Sequence, residues 1–368
     1  MREWQTTALG EQINLKRGYD LPTKSRTDGN IPIYSSSGIS GYHNENMCDG
    51  LGVITGRYGT IGKVFFSRTP YWPLNTTLYV QDFKGNDELF IYYFLQQLDW
   101  AKYSDKSAVP GVNRNDVHQE EVMIPPLPEQ RAIAAVLSSL DDKIDLLHRQ
   151  NKTLEAMAET LFRQWFVEEA GEDWDAGTLD DVISVKGGTT PSTKEPAYWD
   201  GDIHWTSPRD LSNHNSVFLF DTDRKITKKG LAKISSGLLP VGTVLLSSRA
   251  PIGYLAITNI KVAINQGYIA IICDKLVSNY FIYLWCKNNM ENIKGSGNGS
   301  TFEEISKSNF KSLELTIPPK GKLNKFDEIA SPIFKKIKAN QLQIRTLEKM
   351  RDTLLPKLMS GEVRVDYA

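Results

Sequence analysis

The chain repeats itself, and no other feature restricts its fold as strongly. Trp4–Gly18 (WQTTALGEQINLKRG) lies over Trp174–Gly188 (WDAGTLDDVISVKGG) at an offset of 170. ITGRYGTIGKVFF, which holds Arg57, lies over LLSSRAPIGYLAI, which holds Arg249, with the two arginines 192 residues apart. Asn75 in PLNTTLYV matches Asn265 in AINQGYIA, and LFIYYFL matches NYFIYLW. MIPPLPEQ then matches TIPPKGKL with Pro125 over Pro318, an offset of 193 that holds to NKTLEAM over IRTLEKM. With 368 residues the chain is also too long for one compact core.

Each half has the same internal order, a mixed globular region followed by a long helix. Runs such as LGVITGRYG and GTVLLSSRAP, rich in Val, Ile, Tyr and Thr and separated by Gly, Pro, Asn and Asp, read as strands and turns. At residues 89–100 and 278–292 the pattern turns helical. The expected fold class is therefore α+β: two similar domains and a long antiparallel pair of coiled-coil helices, related by an internal pseudo-twofold repeat. The expected boundaries are 1–126 for the first domain, 127–170 for the first helix, 171–317 for the second domain and 318–368 for the second helix.

The helical segments carry the clearest periodicity. Ile133, Leu137, Leu140, Ile144, Leu147, Asn151, Leu154, Ala158, Leu161 and Trp165 alternate by four and three, as a coiled-coil seam does. The second seam is Phe326, Ala330, Ile333, Ile337, Asn340, Ile344, Leu347, Arg351, Leu354 and Leu358, interrupted by Asn340 and Arg351. Pro128 and Glu129 open the first helix, where proline and an acid are favoured, and Gly361 closes the second. The segments 127–170 and 318–368 carry −3 and +5, which favours pairing with each other. The connecting domain permits parallel or antiparallel pairing. In the antiparallel arrangement the one polar residue of the first seam, Asn151, faces Asn340, and a buried Asn pair fixes register. The rise from Ile133 to Trp165 is roughly 48 Å, or roughly 14 base pairs of duplex DNA. Two similar domains joined by such a spacer suit a two-part target with an unread gap.

Composition excludes several classes. The net charge of −1 means that any nucleic-acid binding has to rest on local basic patches or on a partner. Arg249 interrupts the longest apolar stretch, Leu238–Ile257, so no bilayer-spanning helix and no membrane partner is expected. MREWQTTALGEQ lacks the apolar run of a secretory signal, and Cys48, Cys273 and Cys286 have no metal-like spacing, which points to the cytoplasm. GRYGTIGKV is no phosphate loop, because five residues separate Gly56 from Gly62 and Val64 stands where Ser or Thr is required. His43, His118, His148, His204 and His214 have neither ligand nor triad spacing and read as structural or exposed. No catalytic residue, metal site or cofactor site is expected in this chain.

The motifs MIPPLPEQRAIAAVLSSLDDKID, AETLFRQWFV, GDIHWTSPRDL and LEKMRDTLLPKLMSGEVRV carry a resemblance that covers essentially the whole length. The chain is similar to the specificity subunits of type I restriction-modification systems. The resemblance implies a non-catalytic DNA-recognition subunit, with two target-recognition domains that each read one half of a bipartite site in double-stranded DNA. It also implies paired helices that bind two methyltransferase (modification) subunits and set the gap, S-adenosylmethionine in those partners, adenine modification, and a restriction/translocase subunit joining for cleavage. TIPPKGKL departs from the pattern by lacking Pro-x-x-Glu-Gln, so the two helix entrances are expected to contact partners unequally. The rival reading is a coiled-coil scaffold or interaction protein whose two globular ends bind other ligands.

The candidate DNA contacts are basic, amide and hydroxyl residues in glycine-rich loops, where backbone approaches phosphate and side chains reach base edges. The first set is Lys16, Arg17, Tyr19, Lys24 and Arg26, with Lys186, Thr189, Thr190 and Lys194 as counterparts. The second is Arg57, Tyr58 and Lys63, with Arg249 opposite. The third is Ser35, Ser36, Ser37 and Tyr42, matched by Trp205, Thr206, Ser207 and Arg209. Lys106 and Arg114, with Ser300 and Lys307, lie where a loop returns towards the helix.

Overall fold

The short β-branched and aromatic runs become strands in both repeats, and they pair in the same order. The computed structural model describes residues 4–104, 111–212, 216–249, 251–298 and 303–366. The chain divides into two units, residues 1–144 with 346–368, and residues 145–345.

In the first unit, Asn14–Arg17, Thr77–Asp82, Gly52–Gly56 and Val64–Ser67 form an antiparallel sheet in that spatial order. Leu15 stands opposite Val80, Ile54 opposite Tyr79 and Val53 opposite Phe66. A second sheet joins Gly38–His43, Ile31–Ser35 and Trp72–Pro73, the last in parallel. Gln5–Ala8 pairs with Glu121–Ile124 just before the first long helix. The helix Glu88–Leu95 is capped by Asp87, whose carboxylate accepts from the Phe90 N–H. It buries Phe90, Ile91 and Phe94 with Leu9, Ile13, Leu15 and Val53 against Ile133, Leu137, Leu355 and Leu358 of the long helices. Each such side chain contributes about 1.5–3 kcal/mol.

The second unit repeats this plan. Ser184–Gly187, Tyr268–Ile272, Val244–Ser248 and Ile252–Thr258 take the same spatial order, and Phe218–Leu219 adds a parallel edge strand. Arg224–Ile226, Trp199–Thr206 and Ala263–Ile264 form the small sheet, again with its last pairing parallel. Asp175–Thr178 pairs with Glu314–Ile317.

The domain helices are shorter than the pattern over 89–100 and 278–292 suggests. The first stops at Leu95, and Trp100 folds back so that its indole N–H donates to the Leu95 carbonyl at 2.8 Å. The second breaks into Asn279–Asn288 and Met290–Gly295 at Asn289, whose side-chain amide donates to the Trp285 carbonyl.

The long helices are Leu127–Arg163 and Lys320–Met359, and each gives one part to each unit. Within the second unit they run antiparallel, since Phe326 packs on Phe162, Trp165 and Phe166 while Asn340 donates to the Asn151 side-chain oxygen at 2.9 Å. Within the first unit, Arg351 reaches Asp141 at 2.9 Å, and Asp141 also accepts from the Tyr93 hydroxyl. The second interruption of the apolar seam is thus a paired charge. Every seam residue from Ile133 to Leu161 and from Ile333 to Leu354 is buried or half-buried. No helix of the described residues is long and apolar enough to cross a membrane.

Both helix entrances are tied to the cap of the neighbouring domain helix. Gln130 accepts from the Asp87 N–H at 2.9 Å and donates to Asn86 and to the Pro125 carbonyl. In the second unit the tie lies one helical turn further along, where Asp327 accepts from the Ser278 hydroxyl. Cysteines at 151 and 340 are expected to crosslink on mild oxidation of the folded chain. A folded double variant that stays reduced would remove this register.

Candidate nucleic-acid interface

Four turns meet at one end of the main sheet in each unit, and most of the candidate contacts sit on them. In the first unit the chain leaves Asn14–Arg17 through Gly18, where an added Cβ would lie 2.2 Å from the Leu74 carbonyl oxygen. Glycine is therefore required for this strand end to reach the 73–77 turn. On that turn the Asn75 amide donates to Asp20, and the Thr76 carbonyl accepts from the N–H groups of Arg57 and Tyr58. The 56–62 turn turns back through Gly59 and Gly62, both at positive φ (82° and 87°). It lies against the 35–38 hairpin, since a Cβ on Gly59 would stand 3.3 Å from Ser36 Oγ.

On this frame the side chains divide into committed and presented groups. Tyr19 shares a hydrogen bond of 2.9 Å with the Tyr79 hydroxyl, and the Lys16 ammonium lies 5.6 Å over the Tyr19 ring. Burial pushes the Tyr79 phenol far above its ordinary range, so it stays a neutral donor and acceptor. Arg26 donates to the Ser40 carbonyl and pins the hairpin. Ser35 bonds Ser37 and the Gly38 carbonyl within its turn. Arg17, Lys24, Ser37, Tyr42, Tyr58 and Lys63 are exposed, and Ser36 is half-buried at the hairpin tip. The Arg57 guanidinium stacks 4.5 Å over the Tyr58 ring and donates to its hydroxyl. The Tyr58 ring in turn lies on Gly111, whose added Cβ would be 2.3 Å from it. Arg114 reaches the Leu15 carbonyl at 3.5 Å, beside the first set. Lys106 lies outside the described residues.

The second unit builds the same meeting of turns. A Cβ on Gly188 would lie 1.9 Å from the Ile264 oxygen. Thr190 donates to Gln266 at 2.8 Å, the Asn265 N–H donates to the Thr206 carbonyl, and the Ser248 N–H donates to the Gly267 carbonyl. Thr189 donates to the Lys233 carbonyl. Lys186, Lys194, Arg209 and Lys307 are exposed, and the Lys307 ammonium passes over Gly187 at the end of the first strand. Arg249 is half-exposed and faces Glu304 at 3.5 Å. Ser300 and His214 lie outside the described residues.

Two of the candidates are core residues instead. Trp205 and Thr206 are 5 % and 0 % exposed, Trp205 packed edge-on against Trp199 and Thr206 beside the Tyr268 hydroxyl. They occupy the sheet positions of Ile33 and Tyr34, because the parallel pairings set Trp205 and Thr206 against Ala263 and Ile264 as Ile33 and Tyr34 stand against Trp72 and Pro73. Ser207 is spent on a capping box with Asp210, which leaves Arg209 as the outward group of that set.

Sequence reasoning passed over the 73–77 and 264–267 turns as contact surface, although the match of Asn75 with Asn265 marked them. It also passed over Glu304. Among the described residues, no group of three or more His, Cys, Asp and Glu is placed to hold a metal ion.

Comparison with known proteins places this geometry. The family profile described as "Type I restriction modification DNA specificity domain" matches residues 1–156 and again 171–349. The MjaIX specificity subunit of a type I restriction enzyme from Methanocaldococcus jannaschii is 38 % identical over 194 residues, covering 52 % of this chain and 45 % of that protein. The HindI specificity subunit from Haemophilus influenzae is 23 % identical over 335 residues, covering 71 % and 72 %. The chain thus spans under half the length of the first relative and somewhat more than two thirds of the second. A crystal structure of a type I restriction-modification S subunit from M. genitalium superposes with a TM-score of 0.67 at 17 % identity, over 99 % of this chain and 97 % of that one. The fold is shared along the whole chain.

Proposed function

Because the chain belongs to the type I restriction-modification DNA specificity family, matched over both of its repeats, we propose that it is the DNA-recognition subunit of such a system. Each unit reads one block of a bipartite site in double-stranded DNA through the turns gathered at its sheet end. The observation that carries this is the duplication of one surface. Arg57 and Arg249 stand one position apart on the same turn of it, and Arg17 and Lys63 in the first unit and Lys186, Arg209 and Lys307 in the second are exposed. Arginine at a tight turn offers a bidentate donor to guanine, and lysine at the strand ends supplies phosphate contacts.

The chain is not the catalyst in this reading. Two methyltransferase subunits dock on the paired helices and bring S-adenosylmethionine, and a restriction/translocase subunit joins for cleavage. The helix pair sets the gap between the two blocks.

Modified-base sequencing of the source genome with and without the gene tests the reading. The expected result is loss of adenine methylation at one motif made of two short blocks and a fixed gap. Unchanged methylation in a strain whose partner subunits are expressed would overturn it.

A further inference from the structure

The arginines that the two units carry on this turn, one position apart in the shared backbone, are held in opposite ways. In the first unit Arg57 rests on an aromatic face, 4.5 Å over Tyr58 with a hydrogen bond to its hydroxyl. In the second unit Arg249 itself takes the backbone place of Tyr58, and its support comes from across the turn, where it pairs with the Glu304 carboxylate at 3.5 Å. The backbones of Arg249 and Glu304 also bridge, and the Ile305 N–H donates to the Ser248 carbonyl. In the first unit the place of Glu304 is taken by Gly111, which bridges Tyr58 as Glu304 bridges Arg249, and Val112, in the place of Ile305, donates its N–H to the Arg57 carbonyl. One backbone framework thus carries a π-supported arginine in one unit and a charge-neutralised arginine in the other.

These two supports act differently on DNA. A ring beneath a guanidinium leaves its positive charge intact and its outer N–H groups free, so Arg57 attracts any phosphate. A carboxylate offsets the charge and, here, faces one arm of the fork. The Arg249–Glu304 pair then contributes no counterion release, and Glu304 repels backbone phosphate. With side chains 39 % and 47 % exposed, the pair is a weak surface ion pair that a competing acceptor can displace. The acceptor best matched to the fork is a base edge that offers two lone pairs, such as the O6 and N7 of guanine.

We propose that Glu304 is a specificity-determining positioning residue, which neutralises Arg249 on wrong sequences and yields it to a base edge in the block read by the second unit. The inference rests on the DNA-recognition reading given above and assigns its discrimination unequally, with Arg57 holding DNA in general and Arg249 reporting sequence.

The test uses the full chain with three labelled duplexes: one carrying the motif found by modified-base sequencing, and two with one or the other block scrambled. Glu304→Gln is expected to tighten binding to the duplex scrambled in the block of the second unit by about fivefold and to steepen its salt dependence by about one phosphate contact, a slope change near 0.9. Binding to the intact motif is expected to stay within about twofold, so that discrimination falls. In an Arg249→Ala background the same substitution is expected to leave discrimination unchanged, whereas Glu304→Asp with Arg249 in place is expected to keep part of the discrimination that Glu304→Gln loses. Equal tightening on all three duplexes, or an undiminished effect without Arg249, would show a general repulsion and overturn the proposal while leaving the DNA-recognition reading intact. Salt-insensitive binding by the unmutated chain on every duplex would instead remove that reading and this inference with it.

Discussion

Arg364→Ala is expected to destabilise the chain by about 3 kcal/mol or more, a larger loss than any other single charge here would bring. The reason is its partner. Glu129 stands in the first turn of the long helix Leu127–Arg163 and is 0 % exposed, with both carboxylate oxygens held by the Arg364 guanidinium, one of them at 2.7 Å. Removing the arginine strands a carboxylate without solvent, and a buried charge left alone costs far more than the pair itself gains. Replacing both by apolar residues of similar size, Glu129→Met with Arg364→Leu, is expected to recover most of the loss. Urea unfolding of the four proteins measures this cycle. A loss below about 0.5 kcal/mol in Arg364→Ala, within the range of an exposed pair, would show that the carboxylate finds solvent or another donor.

The second unit meets the same need with reversed charges. Lys322 takes the place of Glu129, its ammonium 3.6 Å from Glu169 and 5.0 Å over the ring of Trp174, the repeat partner of Trp4, over which Arg364 lies at 5.6 Å. Glu169 is half-exposed, so this pair ranks with ordinary surface ion pairs at about 0–1 kcal/mol. The departure of TIPPKGKL from the Pro-x-x-Glu-Gln pattern is in this respect a swap of partners within the fold. At the sequence level Glu129 reads as a dipole-favoured acid in a first turn. The arginine that defines its role lies 235 residues away, beyond any local spacing.

Other parts of the structure were legible because they depend on period and repetition. The four-three seam gave both long helices, and the single polar residue on the first one pointed to Asn340 as its mate, because a buried amide has few partners to choose from. The duplicated strand segments took the same sheet order in both units, since side-chain alternation fixes which face is buried. What failed was assignment by position within a loop. HWTSPRDL looks like a polar turn, yet Trp205 and Thr206 complete a strand, and a shift of two residues along it separates core from surface. The support of each arginine was equally hidden, because Gly111 under Tyr58 and Glu304 beside Arg249 come from distant returns of the chain.

Phe326→Ala is expected to cost about 3–5 kcal/mol, through loss of a large buried side chain and the cavity it leaves. Phe326 is 0 % exposed, with ring centroids 5.0 Å from Phe166, 6.1 Å from Phe162 and 6.4 Å from Phe281, all near-perpendicular. Edge-to-face pairs of this kind add about 0.5–1.5 kcal/mol each beyond burial. The cluster joins three elements of the second unit: the end of one long helix, the start of the other, and the domain helix Asn279–Asn288. Phe326→Leu keeps most of the volume and forfeits the ring geometry, so it is expected to cost about half as much. Urea unfolding separates the two contributions. If Leu and Ala lose equally, the perpendicular rings carry the stability. If Ala loses under 1 kcal/mol, the seam closes without Phe326 and the antiparallel end is held by Asn340 and Ile337 instead.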